Sequence, residues 1–218
     1  MRCSTRRWLA LLVLGTASLA AFAADLPEVD IPANAAARRQ GAETATGVCL
    51  GCHNLRFVHF GDLAQLGFDP AALERLRHGR GTAEELRTDL TPDTLRDSFG
   101  LVPPDLSLMA RAREGGPRYV YGLLTGFYQK PDGSVDNRAF PGVKMPDVLG
   151  ISGVADPVQR AALEDKARDV AAFLAWSADP HAGERRRLGG YVLAYLALLT
   201  VMLYLSKRRI WSRLGEPA

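Results

Sequence analysis

Two apolar runs of unequal length stand near the ends of the chain, and the residues between them follow mostly helical spacing. Trp8 to Leu19 is a short apolar run behind Arg2, Arg6 and Arg7, and Ala21-Phe22-Ala23 places small residues on either side of a bulky one. A basic start, a short apolar core and a small-x-small site predict a secretory signal peptide over residues 1–23. The run is short for a membrane span. Arg6-Arg7 also resembles a twin-arginine signal, but ordinary export signals are basic too, so the general export route is expected. Leu188 to Leu205 is an 18-residue stretch without a formal charge, which with its flanks approaches bilayer length. Arg185, Arg186 and Arg187 precede it, Lys207, Arg208, Arg209 and Arg213 follow it, and Tyr191, Tyr204 and Trp211 fall near the expected interfaces. This pattern predicts one transmembrane helix over 188–206 and a tail over 207–218. Because the N-terminal bulk is exported, the tail is expected in the cytoplasm.

The remaining residues, 24–184, are enough for one small domain. Residues 25–40 are rich in Ala, Pro and charge and read as an extended lead-in. From Gly41 to Arg56 the apolar positions are compatible with a short helix. Short helices joined by turns are expected over 58–102. Asp69-Pro70 opens one that Gly79 ends. Thr82-Ala83-Glu84-Glu85 has the form of a capping box opening another, and Thr91-Pro92-Asp93 opens a third that Gly100 ends. A further helix is expected across Arg118 to Tyr128. Pro157 to Trp176 is strongly amphipathic, with Ala161, Ala162, Val170, Phe173, Leu174 and Trp176 near one face. Strand signals are scarce, so the fold class is mostly α.

Charge changes the picture only after the appendages are removed. The whole chain has 27 basic and 24 acidic residues; three basics precede residue 24, and seven basics and one acid follow residue 184. Residues 24–184 therefore keep 17 basics and 23 acids, a net of −6. A mildly acidic exported surface suits either plain solubility or a basic soluble partner.

The candidate chemistry is at residues 49–53, Cys-Leu-Gly-Cys-His. Cys3 lies in the expected signal, so the exported chain keeps Cys49 and Cys52 alone, which excludes a disulfide scaffold. A zinc site would need more ligands than one such pair offers. A thioredoxin-like pair belongs after a strand in a βαβ unit, for which no pattern is present. Cys-x-x-Cys-His is the attachment motif of c-type haem. Two thiols three positions apart add across two vinyl groups on neighbouring pyrroles, and the next residue, His53, becomes the proximal iron ligand.

An electron carrier of this kind usually has a second axial ligand, often Met. Met1 lies in the expected signal and Met202 in the expected span, leaving Met109 and Met145. Met109 lies in a helical-looking stretch, where a buried apolar Met is the plain reading. Met145 lies in Phe-Pro-Gly-Val-Lys-Met-Pro, an irregular loop that can wrap the far face of a haem, which favours it. Among the histidines, His59 is too near His53 to reach the opposite face, and His78 and His181 stand in polar surroundings.

The chain resembles cytochrome c1, in its bacterial form, the haem-carrying subunit of the cytochrome bc1 complex (quinol–cytochrome c oxidoreductase). The resemblance rests on C-L-G-C-H at 49–53, P-P-D-L-S at 103–107, A-R-A-R at 110–113 and Y-V-Y-G-L-L-T-G-F-Y at 119–128. It continues through F-P-G-V-K-M-P at 140–146 and D-V-A-A-F-L-A-W-S-A-D-P at 169–180 into the single span. It implies a c-type cytochrome domain with one haem c held by Cys49 and Cys52, His53 as proximal ligand and Met145 as distal ligand. It also implies Arg113 near a haem propionate, Tyr119 close to the pocket, and Pro103 and Pro104 packed near the porphyrin. A propionate needs a cationic or hydrogen-bonding partner, which gives Arg113 a physical rationale. The implied function is electron transfer from a Rieske iron–sulfur protein to a soluble or tethered c-type cytochrome, beside cytochrome b. The chain then counts as an enzyme only as a subunit of that oxidoreductase, with no catalytic residue making substrate bonds and no nucleic-acid partner. The implied location is the bacterial cytoplasmic (inner) membrane, single-pass, haem domain on the periplasmic side. The stretches on either side of P-P-D-L-S are short for the family, no further cysteine pair is present, and the long acidic insertions of mitochondrial members are missing. A free-standing tethered cytochrome, a haem enzyme with an open distal position and a structural adaptor are the alternatives.

Overall fold

Asn34 sets the first helix. Its side chain accepts a hydrogen bond from the Ala37 amide at 2.9 Å, the N-cap arrangement, and α1 follows over Ala35–Gly47. The computed structural model describes residues 26–214, so the expected signal peptide at 1–23 lies outside the described residues. The lead-in is therefore shorter than expected. Helix begins at Ala35 rather than near 41, because a good cap stands before a run of alanines with high helix propensity.

After α1 a single 3-10 turn covers Cys49–Gly51, and β1 spans Leu55–His59. A helix through Arg56 is thus corrected to helix, turn and strand. A second 3-10 stretch, Phe60–Leu66, leads to α2 over Pro70–Arg77, capped by Asp69 on the Ala72 amide at 2.8 Å. The capping box expected at Thr82–Glu85 does not open a helix: Glu85–Leu86 forms β2, antiparallel to β1 with Leu86 opposite Leu55. Tertiary contacts override the local signal here. The carbonyls of Thr82 and Glu84 accept from the Gly61 and Phe60 amides at 2.8 and 3.0 Å, and Leu86 is fully buried. The Glu84 carboxylate accepts from the Gly81 amide at 2.6 Å.

α3 spans Pro92–Phe99, with Thr91 at its N-cap and Gly100 ending it at φ 73°, a left-handed position that glycine adopts freely. α4 is one turn, Met109–Ala112, and α5 spans Pro117–Thr125. The helix expected to reach Tyr128 stops earlier, because Phe127–Gln129 is β3, paired antiparallel with β4 at Val135–Asn137. A 3-10 turn at Ile151–Gly153 precedes α6 over Pro157–Ser177, close to its expected limits.

The core of this unit is built around α1 and α6. Ala37, Gly41, Ala42 and Ala45 are the buried face of α1. A Cβ at Gly41 would stand 2.0 Å from the Asp169 carbonyl oxygen and 2.8 Å from Phe173 Cβ, so only glycine allows this approach. Val170, Phe173, Leu174 and Trp176 of α6 join Leu55, Val58, Leu63 and Leu86 in one buried cluster.

Residues 179–218 form a separate unit. Its helix, α7, spans Ala182–Leu214 and is long and apolar enough to cross a membrane. Arg185 pairs with Asp179 before the apolar stretch, and the Lys207 ammonium lies 4.4 Å over the Trp211 ring after it.

Candidate haem-binding site

Cys49 opens the 3-10 turn after α1 and Cys52 follows its last residue, and both line one cavity. The Cys52 and His53 amides both donate to the Cys49 carbonyl, at 3.1 and 2.9 Å, so the motif is a closed turn rather than a loose loop. Burial, and then the neighbouring Cys52, push the Cys49 thiol up to about 11, so it is a neutral S–H at pH 7.

His53 is held from across the domain. Its Nδ1–H donates to the Pro104 carbonyl at 2.8 Å. A carbonyl only accepts, so the proton sits on Nδ1 and Nε2 keeps its lone pair, the state a metal-ligating imidazole needs. Burial lowers the His53 pKa, against the opposing influence of the Pro104 carbonyl and Asp105.

Pro104 itself is fixed by its neighbours. The Leu106 amide donates to the Asn54 carbonyl at 2.7 Å, and the Phe57 amide to Ser107 Oγ at 3.1 Å. The Asp105 carboxylate accepts from the Arg56 amide and Nε at 3.2 and 3.1 Å, and from the Ser107 amide at 2.9 Å. Burial raises the Asp105 pKa, but these hydrogen bonds outweigh it and hold the carboxyl below its ordinary value. Thus P-P-D-L-S is laced onto the residues that directly follow the attachment motif.

A cavity of about 450 Å³ opens beside this face, within the range of about 300–1,000 Å³ usual for cofactor sites. Its walls are almost wholly apolar, with Leu123 and Leu124 from α5 and Val170 and Leu174 from α6. Cys49, Cys52, His53, Pro103, Pro104, Arg113, Tyr119 and Met145 all line it. The structure therefore brings together every site residue expected from the sequence. Arg113 and Tyr119 also meet each other, the guanidinium carbon 5.8 Å from the ring centroid. Met109 lines the same cavity. His59 and His78 do not: His59 faces Asp62 at 3.3 Å and His78 ends α2 in a left-handed conformation; His181, in the separate unit, faces Glu184 at 3.3 Å.

Sequence reasoning missed the Pro104 carbonyl, the Asp105 and Ser107 anchors and the apolar rim from Phe99 and Leu101. A backbone acceptor carries no residue-type signal. Asp105 and Ser107 lay inside a motif already in view, and their charge and hydroxyl were the available clue.

The donors fit a covalently attached porphyrin. Two thiols and a neutral imidazole with one nitrogen free line the cavity, a thioether lines it too, and most of the remaining lining is apolar. Such a site on a mostly helical domain, in a chain that also carries a long apolar helix, defines a c-type cytochrome with a membrane anchor. Comparison with known proteins makes this specific. The model of the Cytochrome C1 family matches residues 32–214. Cytochrome c1 of Allochromatium vinosum is 34% identical, over 81% of this chain and 84% of its own. Cytochrome c1 of Rhodospirillum rubrum is 30% identical, over 79% and 80%. A Bradyrhizobium diazoefficiens protein named Cytochrome b/c1 is 29% identical over 81% of this chain and 33% of its own. The chain belongs to the cytochrome c1 family, membrane-anchored proteins that carry one covalently bound haem c.

Proposed function

We propose that the chain is the electron-transfer subunit of a quinol–cytochrome c oxidoreductase, taking an electron from a Rieske-type iron–sulfur protein and passing it to a c-type cytochrome. One observation carries this reading: a single apolar cavity is lined by the Cys-x-x-Cys-His turn and by the Met145 loop. When bound, the haem supplies an iron that takes up and releases one electron. Cys49 and Cys52 hold the group through thioethers, His53 is the proximal ligand, and Met145 is the distal ligand. Arg113 would offer its cation to a propionate, and Tyr119, Pro103 and Pro104, which line the same cavity, would border the group. Thioether ligation favours the ferrous state and suits a high-potential carrier. The protein contributes orientation, potential and a docking face rather than bond chemistry.

In this reading residues 1–23 are a signal peptide, 24–184 the periplasmic haem domain, 188–206 the transmembrane helix and 207–218 a cytoplasmic tail. The membrane is the bacterial inner membrane. The joint name Cytochrome b/c1 of the Bradyrhizobium relative supports cytochrome b as a neighbour.

The test is to tag the C-terminus, solubilise membranes gently and record quinol-driven haem reduction on what is purified. Cytochrome b and an iron–sulfur protein are expected alongside, with quinol reducing the covalent haem. A lone haem protein that quinol does not reduce, from membranes whose quinol oxidation survives solubilisation, would overturn the reading in favour of a free-standing tethered cytochrome. Replacing Met145 with Leu is expected to lower the midpoint potential sharply. An unchanged potential would remove Met145 from the iron.

A further inference from the structure

We propose that Asn137 and Asp136, at the end of the β3–β4 hairpin, are positioning residues that hold the Met145 loop against the cavity. The proposal rests on the reading of Met145 as distal ligand.

Asn137 is fully buried, a rare condition for a polar side chain here. Its Nδ2 donates to the Leu123 carbonyl at 2.7 Å, and its Oδ1 accepts from the Ala139 and Phe140 amides at 2.9 and 3.1 Å. Leu123 and Phe140 both line the cavity. One side chain thus ties the wall helix α5 to the first residues of the loop.

Asp136 takes over where Asn137 stops. Its Oδ1 accepts from the Asn137 and Gly142 amides at 2.8 and 2.7 Å, and its Oδ2 from the Lys130 ammonium at 2.7 Å. Gly142 sits at φ 74°, inside a turn closed by the Val143 amide on the Phe140 carbonyl at 3.2 Å. Pro141 before it and a positive φ at Gly142 are what a type II turn requires. The Arg138 amide adds a bond to the Gly126 carbonyl at 3.0 Å. Every amide from Asn137 to Val143 is therefore directed, Pro141 having none.

Met145 follows two residues later. On its other side the Asp147 carbonyl accepts from the Gly150 amide at 3.2 Å, and its Oδ2 from the Ser152 amide at 2.7 Å. The thioether is carried by a short bridge between two fixed ends. The chain's cysteines are Cys3, Cys49 and Cys52, so no disulfide can restrain this loop. Packing of Met145, Val148 and Leu149 against the core holds the far part of the loop, and the hairpin's hydrogen bonds, from a buried Asn satisfied on both its atoms and a neighbouring carboxylate, hold its start.

The test uses the full chain in its membrane complex, haem attached. Readouts are carbon monoxide binding to ferrous haem, the far-red thioether-to-ferric-iron band, and the midpoint potential, with the thermal midpoint recorded beside them. Asn137→Ala is expected to raise the carbon-monoxide-reactive fraction roughly tenfold to a hundredfold, as loss of one or two part-buried hydrogen bonds would, and Asp136→Ala, whose bond to Gly142 is exposed, by roughly threefold to tenfold. The far-red band weakens and the potential falls. Asn137→Asp keeps the acceptor contacts to the loop and is expected to fall between wild type and Asn137→Ala. Asp132→Ala, in the hairpin turn, leaves all three readouts as in wild type. If Asn137→Ala does not accumulate, Asp136→Ala decides alone. Wild-type carbon monoxide binding in the hairpin variants, with Met145→Leu reactive, overturns the proposal and spares the ligand. Unaltered binding in Met145→Leu overturns the ligand assignment itself.

Discussion

Replacing Gly41 with Ala tests whether the α1–α6 crossing sets the fold. The added Cβ would lie 2.0 Å from the Asp169 carbonyl oxygen and 2.5 Å from its carbon. Both are backbone atoms and cannot rotate away. Restoring an ordinary contact of about 3.4 Å would part the two backbones by about 1.4 Å. A radial gap of about 0.5–1 Å already forfeits a quarter to a half of a van der Waals well. The gap would open between Ala42 and Ala45 on one helix and Val170 and Phe173 on the other, all buried. Overpacking of this kind costs about 1–3 kcal/mol, and the upper end applies because neither partner is a flexible side chain. Ala returns about 1 kcal/mol through helix propensity. The net expectation is a loss of about 2 kcal/mol, or about 4–8 °C in Tm for a domain of this size. Thermal melting of the haem-loaded chain, followed by circular dichroism, is the assay. A Tm equal to or above that of wild type would refute the reasoning, because then the helices do not need this closeness.

Two further outcomes follow from the site. Asp105 has its pKa held below the ordinary value of about 3.9, so the unfolded chain binds more protons than the folded one as pH falls through that value. Stability contributed by Asp105 is complete above about pH 4 and lost as pH falls through the lower folded pKa. Asp105→Asn should therefore be less stable at pH 7 and flatter in the acid limb of a denaturation series, and equal acid slopes would count against the anchor. Arg113→Gln removes a cation from the cavity rim and should favour ferric over ferrous haem. The midpoint potential is expected to fall by tens of millivolts, an order-of-magnitude figure for one partly solvated charge, while an unchanged potential would place Arg113 away from the haem charge.

What could be read from the sequence depended on how each element earns its stability. α2 and α3 announce themselves by Asp69-Pro70 and Thr91-Pro92, because capping is a local interaction. α6 announces itself by its apolar positions. The first half of α1 was missed because its buried position before Gly41 is Ala37, a small residue among charged neighbours that leaves no apolar stripe. Thr82–Glu85 has a helix-start signature and became part of a strand edge, since Leu86 gains more by burial against Leu55 than a short helix could return. Of the residues that line the cavity, Cys49, Cys52 and His53 were singled out by spacing alone, and Met145 by its loop context together with the family resemblance. The Pro104 carbonyl and the Asn137 brace were not, because each acts through contacts far away in sequence.

The cavity is closed by the part of the domain that is made last. The attachment motif is complete at residue 53, whereas α6, which brings Val170 and Leu174 to the wall, begins at Pro157. Chains emerge N-terminus first, so 104 residues of growth separate residues 53 and 157. A chain that ends before Pro157 lacks the helix that packs on α1, and the face carrying Cys49 and Cys52 lacks the wall that Val170 and Leu174 provide. The same long separation that brings Gly41 against Asp169 makes the pocket depend on the last helix of its domain, so a chain cut short before α6 would keep the Cys-x-x-Cys-His turn without the wall it faces.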